Sequence, residues 1–322
     1  MSAICYFNGA FVPTSDARIG IDSGLAGRGL GVFEGIRAYW NEADEALTVF
    51  RLREHMERLE RSARVLFITL PHDVDTLCEL TVELLRRNDF RTDVHLRPIA
   101  YKSSEEITSK ILVLSEQADG FAINASPLGR YLKGDDGVTC MVSSWRRTAD
   151  NAMPARAKIT GNYVNSALAK TEAVMNGFDE AIFLTDAGMV AECSAQNLFL
   201  VRDGVLVTPS TTETILEGIT RETIIELARK ELGAEVVERP VARSELYLAE
   251  EAFLTGSGSE VKPIVGVDHR AIGGGVPGPT TKRLVALYEA VARGTSRAHP
   301  EWRTPVLLDD RAKTPQAASA GA

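Results

Sequence analysis

The sequence predicts an α+β protein built in two units, and three observations carry that prediction. A chain of 322 residues holds about two domains at roughly 150 residues each. Short apolar runs broken by turn signals open the chain, and amphipathic helical stripes follow them in blocks. A stretch dense in glycine and charge, Leu128 to Gly137, then separates two apolar runs. With 44 % hydrophobic residues, each unit has enough material for a core.

Tyr6-Phe7 before Asn8-Gly9, Phe11-Val12 before Pro13, and Leu47 to Phe50 read as strands with hairpin turns. Leu52, Met56, Leu59, Ala63 and Leu66 recur at steps of four and three, an amphipathic helix with its stripe on a sheet. A second helix is expected at 74–88, and strands at Val94–Ile99, Ile111–Ser115 and Gly120–Ser126. Residues 1–126 thus form a small α/β domain and 127–137 a linker. Beyond it, Val138–Ser144 reads as a strand and Asn162–Asn176 as a helix closed by Gly177. Turn signals at Asp186-Ala187-Gly188 and Arg202-Asp203-Gly204 predict an antiparallel meander over 181–208. Glu217–Leu232 is helical, Ala252–Thr255 a strand and Gly278–Arg293 a last helix, so 138–293 form the larger domain. Residues 294–322, rich in Pro, Ala and Ser without periodicity, read as a disordered tail.

Lys and Arg number 36 against 44 Asp and Glu, a net charge of -8 with no basic run, which argues against nucleic acid. No run of about 18 apolar residues and no secretory start is visible, so a cytoplasmic protein is expected. The four cysteines lack CxxC spacing and the five histidines lack HExxH, so free thiols and no metal are expected.

With only 9 lysines against 27 arginines, few amines can be reactive. Lys158 sits among small residues just before a helix, where burial could lower an amine pKa, although the residues alone favour a solvated loop lysine. Glu192 is an acid between apolar residues on a meander strand; it either faces water or pairs with a buried cation such as a protonated pyridine. Glu217-Gly-Ile-Thr-Arg221 opens a helix whose free N–H groups suit an anion, and Gly256-Ser-Gly-Ser-Glu260 offers a turn that lets backbone approach a ligand. Plain capping and turning explain each glycine motif alone.

Together and in this order, the motifs resemble class IV pyridoxal-phosphate aminotransferases, most like the branched-chain amino acid aminotransferases. The resemblance runs from Asn8 to Arg293. It rests on Gly31-Val-Phe-Glu-Gly-Ile-Arg-Ala-Tyr39, Arg53-Glu-His-Met-Glu-Arg-Leu59, Val142-Ser-Ser-Trp145, Lys158 with Gly161-Asn-Tyr163, Glu192 with Asn197-Leu-Phe199, Glu217–Arg221 and Gly278-Pro-Thr-Thr-Lys282. It implies the two-domain fold type IV shared with D-amino acid aminotransferases, pyridoxal 5′-phosphate as cofactor, an amino acid and a 2-oxo acid as partners, and a homodimer or higher homo-oligomer. It also implies Lys158 as the amine that holds the cofactor and moves the proton, Glu192 on the pyridine nitrogen and Tyr163 on the ring oxygen. Arg58, Ile219, Thr220 and Ser257 would take the phosphate, with Ser257 in place of the commoner threonine. Arg58 lies off the apolar stripe of its helix, as that role requires.

The substrate side departs from the family. Arg97 matches an arginine that receives carboxylates, Phe33, Gly35, Leu128 and Tyr131 match pocket positions, and Gly258 and Ser259 would offer N–H groups to the α-carboxylate. His95 and Arg28 stand where tyrosines are usual, adding donors to a pocket that should be apolar for Leu, Ile and Val. Beside Arg97, His95 is expected to stay neutral near pH 7 through like-charge repulsion. Reversible transamination of a branched or apolar L-amino acid with 2-oxoglutarate is therefore expected. The alternatives are a specialised paralogue, including a partner in side-chain epimerisation, and a D-amino acid or amine transaminase or aminodeoxychorismate lyase. A catalytically dead binding protein would have lost Lys158 or Glu192.

Overall fold

The computed structural model describes residues 3–104, 106, 108–129 and 136–308. Its strands run β1 (Ile4–Phe7), β2 (Ala10–Pro13), β3 (Gly31–Phe33), β4 (Ile36–Asn41), β5 (Ala46–Phe50), β6 (Val94–Lys102) and β7 (Asp119–Pro127) in the first half of the chain. They continue as β8 (Val138–Arg146), β9 (Glu180–Leu184), β10 (Val190–Cys193), β11 (Asn197–Arg202), β12 (Val205–Thr208), β13 (Val236–Glu238), β14 (Glu251–Gly256), β15 (Glu260–Val267), β16 (Arg270–Ala271) and β17 (Arg303–Val306). The α-helices are α1 (Gly24–Arg28), α2 (Leu52–Val65), α3 (Val74–Asn88), α4 (Tyr163–Met175), α5 (Ile219–Glu231), α6 (Arg243–Leu248) and α7 (Pro279–Ala292).

These strands form two sheets. The first is antiparallel throughout, ordered β17-β5-β4-β6-β7-β1-β2 with β3 also on β6. The apolar stripe of α2 (Leu52, Met56, Leu59, Ala63) and Leu77, Leu84 and Leu85 of α3 pack on it in one core. The second is mixed, ordered β10-β9-β8-β15-β14-β11-β12-β13. Its central strands carry apolar residues on both faces because successive side chains enter different cores. Leu198 and Leu200 of β11 face one, while Phe199 and Val201 face the helices α5 and α7. On β9, Ala181 and Phe183 meet the small residues Ala169 and Ala173 of α4. The core under α5 and α7 also takes in Tyr39, Phe50 and Trp302, fastening the first sheet to the second.

Four sequence expectations are corrected. Ile111–Ser115 is not a strand. It lies in the connection between β6 and β7, whose register runs out to Lys102 opposite Asp119, so no neighbouring strand is available and Leu112 is exposed. The segment 181–208 is not one meander: β9 pairs with β10 and β11 with β12, but β8, β15 and β14 lie between the two hairpins. Of the expected disordered tail, 294–308 is ordered, and 309–322 lies outside the described residues. Trp302 explains the order: it is buried, with the Arg51 guanidinium 4.8 Å over its ring, and β17 follows it onto β5. Arg28 belongs to the last turn of α1, bonds the Asp22 carbonyl, and does not line the cavity described below. Strand β15 went unread because Pro263 sits in it, a residue that ordinarily argues against a central strand.

Candidate active site

Both sheets wall a cavity of about 620 Å³. From the first come Phe33, Gly35, His95 and Arg97, from α2 packed on it Arg58, and from the second Glu192, with the loop at Lys158 and the ends of α5 and β14 closing it. Every other candidate within the described residues, Arg28 apart, reaches this one space: Lys158, Tyr163, Glu192, Ile219, Thr220, Ser257, Gly258 and Ser259 line it too, as does Leu128. Tyr131 lies outside the described residues.

Lys158 is positioned from three directions. Its N–H donates to Ser62 Oγ on α2 at 3.1 Å, and its carbonyl accepts from Phe33 N at 3.1 Å. Three residues on, Gly161 N donates to Gly29 O at 3.1 Å, and a Cβ on Gly29 would stand 2.8 Å from Gly161 Cα, so this close passage of backbones admits only glycine. Lys158 Nζ then meets Tyr163 Oη at 2.7 Å, over the Phe33 ring at 5.1 Å.

Glu192 is buried on β10 and surrounded by donors. Arg147 Nη2 lies 2.8 Å from Oε1, while Asn197 Nδ2 and Leu216 N donate to Oε2 at 3.0 and 3.1 Å. Burial pushes its carboxyl up from the ordinary value, and Arg147, the Leu216 N–H and the Lys158 charge pull back. Asn197 is itself fixed by donating to Leu216 O at 2.9 Å.

At the opposite pole, α5 begins at Ile219 after Gly218, presenting free N–H groups to the cavity. Beside it Arg58 is buried, its Nε and Nη2 on the two oxygens of Glu34 at 2.7 and 2.8 Å and its Nη1 on Glu217 O at 2.7 Å. Ser257 Oγ stands 3.4 Å from His55 Nε2. On the substrate side, burial first and then the charges of Arg97, Arg37 and Lys158 push His95 down to about 4, so its ring is neutral near pH 7. Desolvation thus exceeds the like-charge repulsion expected from sequence. Arg97 lies 4.5 Å over the Phe33 ring.

The sequence reading assigned no role to Arg147, Asn197, Glu34, His55 or Ser62. For α2 a signal existed: His55, Arg58 and Ser62 recur at i, i+3 and i+7, one row beside the apolar stripe, and all three are buried.

An amine, a buried carboxylate and an anion-binding helix end around one cavity between two sheets define a site of the aminotransferase type. The sequence profile of the amino-transferase class IV family matches residues 31–267, and the chain belongs to that family. It is 48 % identical over 301 residues to a probable branched-chain-amino-acid aminotransferase of Aquifex aeolicus, covering 94 % of this chain and 96 % of that one. Among solved structures, the branched-chain aminotransferase of Thermoproteus uzoniensis with norvaline superposes with a TM-score of 0.90 at 42 % identity, covering 95 % of this chain and 100 % of that one. The branched-chain amino acid aminotransferase of Thermobaculum terrenum in its PLP form gives 0.90 at 39 % identity, covering 95 % and 99 %.

The residues present fit pyridoxal 5′-phosphate. Donors cluster at one pole for a phosphate, an acceptor-rich buried carboxylate stands ready for a ring nitrogen, and the amine needed for an aldehyde is there. Thr255 Oγ1, Ser259 Oγ and Arg147 Nε and Nη1 are buried without a hydrogen-bond partner among the described residues, as expected of a cavity shaped for a polar occupant. Among the described residues no helix is long and apolar enough to cross a membrane.

Proposed function

We propose that this protein catalyses reversible transfer of the amino group from an L-amino acid with a branched or apolar side chain to 2-oxoglutarate, using pyridoxal 5′-phosphate. The observation that carries the reading is the Lys158 amine, held 2.7 Å from Tyr163 Oη in a cavity that also contains buried Glu192 and the start of α5. Similarity to branched-chain aminotransferases over 94 % of the chain supports the substrate class.

When bound, pyridoxal phosphate supplies an aldehyde to take the amino group and a ring to take up the electron pair left at Cα. The Lys158 amine would hold the cofactor and would move a proton at the substrate Cα. Tyr163 orients that amine and bonds the ring oxygen. Buried Glu192 would face the ring nitrogen and favour its protonated form. Arg58, the N–H groups of Ile219 and Thr220, and the Ser257 hydroxyl bind the phosphate. Phe33 and Gly35 shape the apolar part of the substrate pocket, Arg97 and His95 receive a carboxylate, and the N–H groups of Gly258 and Ser259 receive the α-carboxylate.

The small unit 1–126 and the cofactor-binding unit 138–293, joined through 127–137, complete the proposal, with a cytoplasmic location and a homodimeric or higher assembly. Val164, Leu168 and Met175, exposed along one side of α4, support assembly, since such apolar faces mark contact surfaces. The test is a panel of Leu, Ile, Val, Glu, Phe and D-alanine with 2-oxoglutarate, following 2-oxo acid release. Leu, Ile and Val are expected to lead; turnover of D-alanine alone would contradict the reading.

A further inference from the structure

Glu34 lies between β3 and β4, fully buried, and has no part in the mechanism above. Its carboxylate joins two elements of the site. Both oxygens take Arg58, and Oε2 also takes His55 Nδ1 at 2.7 Å. Burial alone would raise this carboxyl, but Arg58 and His55 overcome it and hold Glu34 far below the usual carboxylate range. An ionised carboxylate only accepts, so His55 donates from Nδ1 and, when neutral, presents Nε2 as an acceptor to Ser257 Oγ at 3.4 Å. Burial lowers the His55 pKa, as do Arg58 and Lys158, against the pull of Glu34, which favours that neutral form.

The hydrogen-bond count on Arg58 gives the consequence. Of its five N–H groups, Glu34 takes one on Nε and one on Nη2, and Glu217 O takes one on Nη1. One N–H remains on each Nη, the paired donors that suit a phosphate. At 3.4 Å the contact from the Ser257 hydroxyl to His55 Nε2 is long, so it orients the side chain only weakly, and its single proton can turn from Nε2 to an anion that accepts it more strongly.

We propose that Glu34 and His55 are positioning residues for the phosphate end of the cofactor, Glu34 fixing the free fork of Arg58 and His55 steadying Ser257. The inference rests on the cavity's holding pyridoxal phosphate. Charge alone predicts the opposite sign: removing the Glu34 carboxylate makes the site more positive and should tighten an anion. Weakened binding in Glu34→Gln therefore reads positioning.

The full chain, freed of cofactor, is titrated with pyridoxal phosphate, with pyridoxal, which lacks the phosphate, and with inorganic phosphate. Glu34→Gln is expected to raise the Kd for both phosphate-bearing probes at least about tenfold, and His55→Gln about threefold, with pyridoxal changed less than twofold in each. His55→Gln and Ser257→Ala should be non-additive, because they act on one contact. Equal weakening of pyridoxal and its phosphate would reduce Glu34 and His55 to parts of the scaffold and overturn the proposal, as would unchanged or tighter phosphate binding. Should Glu34→Gln not fold, the His55→Gln comparison decides alone by the same criteria. A wild-type chain that binds no pyridoxal phosphate would overturn the reading of the cavity; wild-type binding with unaltered variants overturns only this inference.

Discussion

Replacing Glu192 with glutamine separates the charge of this residue from its shape. All three of its partners are donors: Arg147 on one oxygen, Asn197 and Leu216 N on the other. A glutamine amide has one acceptor oxygen, so with that oxygen kept toward Asn197 and Leu216 its NH2 must face Arg147. The guanidinium already has Nε and Nη1 without partners, and it would be left buried and uncompensated. Breaking a buried pair from one side costs about 3–5 kcal/mol. At about 2.1 cal/mol/K per residue, a chain of this length loses roughly 1.5 °C of Tm per kcal/mol, so a fall near 5 °C is expected. The double variant Arg147→Met/Glu192→Gln should regain most of that stability, because removing both charges leaves none uncompensated. Neither variant should regain rate, since an amide does not hold a proton on the ring nitrogen as a carboxylate does. Thermal unfolding of the cofactor-free chains reads the first effect, and single-turnover loss of the Cα proton reads the second. A Glu192→Gln protein melting within 1 °C of wild type, at about the error of such scans, would refute the pairing argument, and an unchanged proton-transfer step would refute the catalytic one.

Two further outcomes follow from the same geometry. His95 is held down to about 4 in the folded chain, against about 6.5 unfolded. The unfolded chain therefore binds more protons between those values, so wild type loses stability as pH falls from about 6.5 toward 4, a contribution fully present above about 6.5. His95→Gln removes this loss, and the stability difference should shift in the variant's favour by up to about 2 kcal/mol at pH 4, after discounting for the part of the ring that solvent reaches. Parallel pH-stability curves would contradict the burial of this ring. Gly218→Ala would place a Cβ 2.0 Å from Asn197 Oδ1, and Asn197 cannot move without releasing Glu192 and Leu216 O. Two hydrogen bonds, one to a charged group, make this about 2–4 kcal/mol by denaturant unfolding; an unaltered midpoint would show the loop relaxing freely.

Much of the fold was legible because burial imposes periods that the sequence displays. The 52/56/59/63 stripe marked α2, and the alternation and turns at Asn8-Gly9 marked β1 and β2. What escaped depended on partners far along the chain. Nothing local reveals that Trp302 finds Arg51, or that Pro263 is tolerated between β14 and β8. The motif order singled out Lys158 and Glu192, two side chains that the fold brings to one cavity. Arg147 and Glu34 were not legible, because a side chain that acts on another functional group looks, in sequence, like any other charge.

The central claim is that Lys158 is the amine carrying the cofactor. Among the described residues two lysines line the cavity, and Lys170 is engaged with Glu180 at 2.9 Å. Borohydride reduction of the wild-type protein saturated with pyridoxal phosphate, followed by peptide mass mapping, distinguishes them. The account predicts a single phosphopyridoxyl adduct on the peptide containing Lys158; an adduct on Lys170, or none, would contradict it.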